Sequence, residues 1–225
     1  MKFLRGMWLI ARKDIASETR TLQRLSSMLF LALTILVIFS FALDFSRREL
    51  ADLAAGVFWV TLSLSAVLSL HDSFRIERED QALWALLLAP IDESAIYLGK
   101  LLSNLLLLVG PGILILILSA VFFNLDLGPV ALELGAVIVL NTLGFAALGT
   151  LFATLSSRTR RGEILLHLLL LPLSIPLILA AVRATTPLLL GRGLAEVGHW
   201  LQLTMIMDVA FITAGVLLFE YLTEE

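Results

Sequence analysis

The sequence contains no cysteine, and it has few histidines and few charged residues. Without thiols it cannot form disulfides, thiolate metal sites or iron–sulfur clusters, and it has no cysteine nucleophile. Three histidines are too few for a histidine-rich metal centre. Charged residues make up 16% of the chain, against about 25% in ordinary soluble domains. The net charge of −3 argues against nucleic-acid binding, because nucleic-acid-binding domains are usually strongly basic.

The motifs of nucleotide binding and catalysis are missing as well. The only Gly-Lys pair, Gly99-Lys100, lacks the upstream glycine and the following serine or threonine of a P-loop. The chain has no H-E-x-x-H and no G-x-S-x-G motif. We therefore expect a non-catalytic protein that hydrolyses no ATP through a P-loop and that takes energy for any active process from a partner.

Apolar residues are abundant: they make up 59% of the chain, and the mean hydropathy is +0.97. A helix that crosses the hydrocarbon core of a bilayer needs roughly 20 apolar residues. We predict an all-α polytopic membrane protein in which residues 1–225 form one transmembrane domain, because the short connections leave no room for a soluble domain. The six predicted spans are 25–43, 53–71, 101–123, 129–155, 164–182 and 203–222.

The placement of lysine and arginine predicts the orientation of these spans. Twelve of the sixteen basic residues fall on the side of the membrane that holds the N-terminus, and four fall on the other side. Cytoplasmic loops carry the excess of lysine and arginine in membrane proteins. We therefore expect both termini in the cytoplasm and the protein in the inner membrane.

Residues 1–24 precede the first span and carry an amphipathic pattern. One set of apolar residues recurs at helical spacing, and most of the basic residues lie off that face. This pattern predicts an interfacial helix that contacts membrane lipid, and the alternative is a solvated leader that only sets topology. The apolar set is Leu4, Trp8, Ala11, Ile15, Leu22 and Leu25, and the basic set is Arg5, Arg12, Lys13, Arg20 and Arg24.

Residues 72–93, between the second and third spans, combine a charged block with a short apolar run. Four carboxylates accompany two arginines in the block, so it breaks the positive-inside pattern. Pro90 ends the apolar run after too few residues to cross a bilayer. We predict an elbow that lies at the inner membrane surface and docks into a basic groove of a cytoplasmic partner. The alternative is a solvated connection.

Glu133 and Asp208 are ionisable residues within predicted spans, and such residues are functional candidates by default. We expect both about one turn inside the outer boundary, where Arg183 or Arg192 could reach either of them. A structural clamp and a substrate pathway are both compatible with that placement. No two of the three histidines share a face or an end of the bundle, so we expect no metal site.

Several stretches resemble one family of membrane proteins. The six spans, the N-terminal helix with Arg12-Lys13-Asp14 and the elbow together resemble ABC-2-type exporter permeases. In detail the chain is similar to the heme exporter protein B (CcmB) family from Leu9 to the sixth span. The matching stretches are Phe39-Ser-Phe-Ala-Leu43, Phe74-x-x-Glu77-x-Glu79-Asp80-x-x-Leu83-x-x-Leu86-Leu-Leu-Ala-Pro90, and Arg160-Arg161-Gly162 with Leu165-Leu166 and Leu171-Pro172-Leu-Ser-Ile-Pro176.

This resemblance implies a permease subunit, itself a homodimer in the complex, that serves heme delivery in c-type cytochrome biogenesis. It implies a separate ATPase subunit (CcmA) that carries the ATP, a heme-handling membrane protein (CcmC), a small single-span protein (CcmD) and, indirectly, a heme chaperone (CcmE). The elbow would be the coupling helix that contacts the ATPase. No heme ligand is expected on this chain. The residues implied as ATPase contacts are Glu77, Glu79, Asp80 and Trp84.

Two other functions are compatible with the same sequence features. One is an ABC-2 permease that exports another amphipathic substrate, such as a lipid, a polysaccharide or a drug. The other is a membrane enzyme or scaffold that uses Glu133 and Asp208. Apolar spans carry little information about cargo, so the residues alone leave all three functions open.

Overall fold

The structure is a computed structural model that describes residues 2–42, 47–79, 92–157 and 162–223. These residues form seven α-helices and one short 3-10 turn at Gly128–Val130, and they contain no β-strand, which confirms the all-α prediction. The helices are α1 (Lys2–Thr21), α2 (Gln23–Ala42), α3 (Arg47–Glu79), α4 (Glu93–Phe123), α5 (Ala131–Ser157), α6 (Gly162–Leu189) and α7 (Leu194–Thr223).

Six of these helices are long and apolar enough to cross a membrane, as predicted. Several extend beyond the predicted apolar runs: the third span begins at Glu93 rather than Leu101, and the sixth begins at Leu194 rather than Leu203. The predicted starts come directly after polar residues, Lys100 for the third span and Gln202 for the sixth. The backbone hydrogen bonds of a helix continue through such a residue, so the helices are longer than the runs.

Helix α1 is separate from the spans and packs against α4. The chain turns between α1 and α2 at Leu22, a non-glycine residue with a φ of 51°. Gly99 permits a close approach of the two helices, because a Cβ atom there would lie 2.9 Å from both the Met7 carbonyl oxygen and the Ile10 Cβ. The N-terminal helix is thus held on the bundle by close packing.

The buried face of α1 differs from the predicted apolar face. Leu4 and Trp8 are 63% and 54% exposed, as expected for side chains that face lipid. Ala11, predicted on the same face, is buried against the bundle together with Ile10. The helix therefore divides its apolar residues between two surfaces, because it contacts protein as well as the surroundings of the bundle.

Helix α5 lies at the centre of the bundle and packs against α3, α4, α6 and α7. Its small residues allow these close contacts: Leu70 of α3 fills the space that a side chain at Gly149 would need. A buried hydrogen bond also links α3 to α6, because Trp59 Nε1 donates to Thr185 Oγ1 at 2.8 Å. These contacts fix the middle of the bundle, around which the candidate sites are arranged.

Candidate functional site

The charged part of the predicted elbow is a continuation of the second span. Helix α3 runs without a break from Arg47 to Glu79, so the helix does not end near Asp72, where the elbow was predicted to begin. Glu77 and Glu79 belong to its last turns. Asp80 and Trp84 lie outside the described residues, so the predicted contact surface is only partly described.

A buried ion pair joins α1 to the helix that follows the elbow. Lys100 Nζ of α4 lies 3.8 Å from Asp14 Oδ2 of α1, and Lys100 is only 4% exposed. Ser103 Oγ, one turn further along α4, lies 3.4 Å from the same carboxylate oxygen. The Lys13 ammonium group, which is half exposed, lies 3.4 Å from the other oxygen. The Asp14 carboxylate thereby connects two helices.

A second buried pair lies one turn further along α1. Glu18 Oε1 accepts a hydrogen bond of 2.9 Å from the backbone N–H of Arg24 and one of 3.4 Å from that of Leu25. The first backbone N–H groups of a helix have no intrahelical acceptor and favour a negative charge, so Glu18 caps α2. Its other oxygen lies 3.9 Å from Arg24 Nε.

Arg24 extends this contact across the bundle. Its guanidinium group donates to Ser69 Oγ of α3 at 3.3 Å and to Asn104 Oδ1 of α4 at 3.2 Å. The Asn104 amide in turn donates to Thr150 Oγ1 of α5 at 3.0 Å. We call Asp14, Glu18, Arg24, Ser69, Lys100, Ser103, Asn104 and Thr150 the inner polar network.

The inner polar network connects α1 to both helices that flank the elbow. Ser69 precedes Glu77 on α3, while Lys100 and Asn104 follow the elbow on α4. Removing one partner of a buried ion pair costs about 3–5 kcal/mol, because the remaining charge is left without compensation.

Sequence reasoning missed the inner polar network, because it counted Arg24 and Lys100 as cations that set topology. The available signal was the spacing of Asp14 and Glu18, which places two carboxylates on one face of α1. That face is the one in contact with α4.

A cavity of about 350 Å³ lies beside the inner polar network. Glu18, Arg24 and Ser69 line it together with Thr19, and most of the other lining residues are apolar ones of α2 and α4, among them Pro111. Arg24, which is buried, therefore lies between this cavity and its polar partners on α1, α3 and α4.

Asp208 and Glu133 lie at different depths, contrary to the expectation that both are near the outer boundary. Glu133 is half-buried in the first turn of α5. Asp208 lies near the middle of α7, because that helix begins at Leu194, and it is only 3% exposed. Neither predicted arginine partner reaches Asp208, since Arg192 pairs with Glu196 at 3.4 Å and Arg183 is exposed. The predicted clamp is therefore absent at Asp208.

No cluster of metal ligands was found among the residues that the structure describes. His199 is exposed and its ring lies 4.8 Å from that of Trp200. This aromatic contact accounts for the position of His199 without a ligand.

Comparisons with known proteins match most of the chain. The profile of the family described as CcmB protein matches residues 5–221. Heme exporter protein B of Pseudomonas aeruginosa is 30% identical over 90% of this chain and 89% of its own. The protein of the same name from Rhodobacter capsulatus is 31% identical over 76% and 75%, and that from Escherichia coli K12 is 30% identical over 79% and 80%.

Proposed function

Because the chain belongs to the CcmB protein family, we propose that it is the membrane permease subunit of a heme exporter. The observation that carries this proposal is the family match over residues 5–221, which includes all six spans. The absence of a P-loop in the sequence supports a subunit that hydrolyses no ATP itself. The exporter would deliver heme for the biogenesis of c-type cytochromes.

In this proposal a separate ATPase subunit, CcmA, drives the permease through the elbow. The carboxylates of Glu77, Glu79 and Asp80, with Trp84 beside them, would contact a basic groove of the ATPase. The position of Glu77 and Glu79 in the last turns of α3 supports this arrangement, since a continuous helix can carry a displacement from its end into the bundle.

The inner polar network would then distribute this displacement. It joins α1 to α3 and α4, the two helices that flank the elbow. Buried charged partners resist separation, so α1 would move with those helices as one unit.

The remaining partners are proposed from the family. They are a second copy of the permease, the heme-handling protein CcmC, the small protein CcmD and, indirectly, the heme chaperone CcmE. Heme would be the ligand that the assembled complex transports or delivers. The protein would reside in the inner membrane with both termini in the cytoplasm, as the distribution of basic residues favours.

Charge reversal in the elbow tests the coupling to the ATPase. The triple variant Glu77→Lys, Glu79→Lys and Asp80→Lys should no longer co-purify with the ATPase from membranes in mild detergent, because like charges would face each other. The control variant Asp126→Lys and Glu196→Lys reverses two exposed carboxylates, one in the connection after α4 and one in the first turn of α7, and should still co-purify. Retention of the ATPase by the triple variant would refute the proposed contact.

A growth experiment tests heme delivery separately. Cells that lack their own CcmB should form c-type cytochromes when they express this chain, and heme staining of membrane proteins measures the result. Normal membrane insertion and ATPase binding without cytochrome formation would argue for a permease with a different cargo.

A further inference from the structure

Asp208 occupies a buried point where the middles of three helices meet. It lies halfway along α7, opposite Gly144 near the middle of α5 and Leu177 near the middle of α6. A Cβ atom at Gly144 would lie 2.6 Å from Asp208 Oδ1 and 2.7 Å from Leu177 Cδ1. The absence of a side chain at Gly144 therefore makes room for the carboxyl group.

Neither oxygen of this carboxyl group has a hydrogen-bond partner in the described part of the chain. Asn141 lies one turn before Gly144 on α5; its amide nitrogen donates to the Val137 carbonyl oxygen, and its own side-chain oxygen also has no partner. Thr204, one turn before Asp208, uses its hydroxyl group for the Trp200 carbonyl oxygen. The polar groups closest along these helices thus supply no donor to Asp208.

The titratable residues of α4, α5 and α6, the helices packed against α7, lie at other positions along their helices. Glu133 is in the first turn of α5, and Arg183 of α6 is exposed. Tyr97 of α4 contacts α7 at Gly215, two turns beyond Asp208, and donates to the Ala147 carbonyl oxygen. The others lie toward the ends of the helices or in the inner polar network: Glu163 and His167 on α6, Glu93 and Lys100 on α4, and Glu196, His199, Glu220 and Tyr221 on α7.

An ionised carboxylate is strongly disfavoured in such a place, because it has lost its hydration and gained neither a donor nor a counter-charge. We propose that Asp208 is a proton-binding site: its carboxyl group carries a proton at neutral pH in this conformation. The proton neutralises the charge at mid-depth, and its release requires water or a donor to enter between α5 and α7.

The site belongs to the permease itself and does not depend on the cargo or on the ATPase contact. Protonation is reversible without any change in covalent structure. Any motion that separates α7 from Gly144 would hydrate the carboxyl group and favour loss of the proton. The site would therefore couple proton occupancy to the packing of α5, α6 and α7.

Infrared spectroscopy of the purified chain in lipid nanodiscs tests the proposal. The C=O stretch of a protonated carboxyl group absorbs at a different frequency from the bands of a carboxylate. Labelling aspartate with ¹³C shifts this band and so identifies it as an aspartate band in the unmodified protein. We expect a protonated aspartate band at pH 7 that is absent from Asp208→Asn and present in the control Asp126→Asn, which changes an exposed aspartate.

The outcomes are decisive for Asp208 whether or not heme export is established. A carboxylate without a protonated band at pH 7 would overturn the proposal and favour a bound cation. A protonated band that persists in Asp208→Asn would assign the proton to another residue and also overturn it. The shift of the C=O band on ¹³C labelling is measured in the unmodified protein. It therefore still shows whether an aspartate is protonated at pH 7 if Asp208→Asn folds poorly.

Discussion

Asp14 Oδ2 lies 3.8 Å from Lys100 Nζ and thereby joins the N-terminal helix to the first turns of α4, although the two residues are far apart in the sequence. Lys100 lies in the part of α4 that follows the elbow in the sequence. The pair therefore belongs to the part of the molecule through which we propose that an ATPase acts.

Lys100→Met should destabilise the protein by about 1–3 kcal/mol, because it removes the buried one of the two ammonium groups beside the Asp14 carboxylate. The apparent melting temperature in detergent measures the loss. The double variant Asp14→Leu and Lys100→Met should recover most of the stability, since it removes both charges. Lys13→Met, which alters the half-exposed partner of Asp14, should change stability by less than about 1 kcal/mol. Equal effects of the two lysine variants would contradict this assignment.

Asn104→Leu should destabilise the bundle by about 1–3 kcal/mol, because it removes the acceptor of Arg24 and the donor to Thr150 at a buried position. Thermal unfolding followed by circular dichroism provides the measurement. Thr213→Val removes an exposed hydroxyl group that only bonds its own helix, so it is the matched control and should be nearly neutral. A neutral Asn104→Leu would show that the network contributes no net stability.

Gly215→Ala should destabilise the protein by about 1–3 kcal/mol, since the new methyl group would overlap the ring and hydroxyl group of Tyr97. The gain in helix propensity, about 1 kcal/mol, is too small to offset this overlap. Gly198→Ala on the same helix meets no atom within 4 Å and should be neutral or stabilising. The comparison of the two melting temperatures isolates the steric effect, and a stabilised Gly215→Ala would disprove the close contact.

Gly99→Ala should loosen α1 from α4, because its methyl group would lie 2.9 Å from the Met7 carbonyl oxygen and the Ile10 Cβ. The natural chain has no cysteine, so one introduced thiol reports the change cleanly. Ala11→Cys is buried at this contact and should react slowly with a maleimide, but faster when combined with Gly99→Ala. The control Gly110→Ala adds a methyl group that meets no neighbour, so the thiol at position 11 should still react slowly. An equally slow reaction in the Gly99→Ala variant would contradict the contact between α1 and Gly99.

The number and type of the spans could be predicted because they depend on local composition. Apolar runs such as 25–43 and 129–155 are long enough to span the hydrocarbon core of a bilayer as helices, and this length does not depend on which helices they pack against. The ends of the helices were harder to predict, since the polar starts of α4 and α7 interrupt the apolar runs without interrupting the helix. That error placed Asp208 near the outer edge instead of at mid-depth.

The elbow residues Glu77, Glu79, Asp80 and Trp84 stay predictions as ATPase contacts. Helix α3 reaches Glu79, but contact with a partner depends on a second protein surface. The family, by contrast, was recognisable from motifs within the chain, and the match over residues 5–221 confirms it.

The sequence by itself determined an all-helical chain with six membrane-spanning segments, and it determined the family. Hydrophobicity and motif spacing are local properties that can be read directly from the order of the residues. Only the tertiary structure decided which charges are paired inside the bundle and which carboxyl group is left without a partner. Arg24 and Lys100 look like ordinary topology signals in sequence, whereas packing places them beside Glu18 and Asp14. The physical reason is that burial and pairing depend on distances between separate helices, which helix packing alone sets.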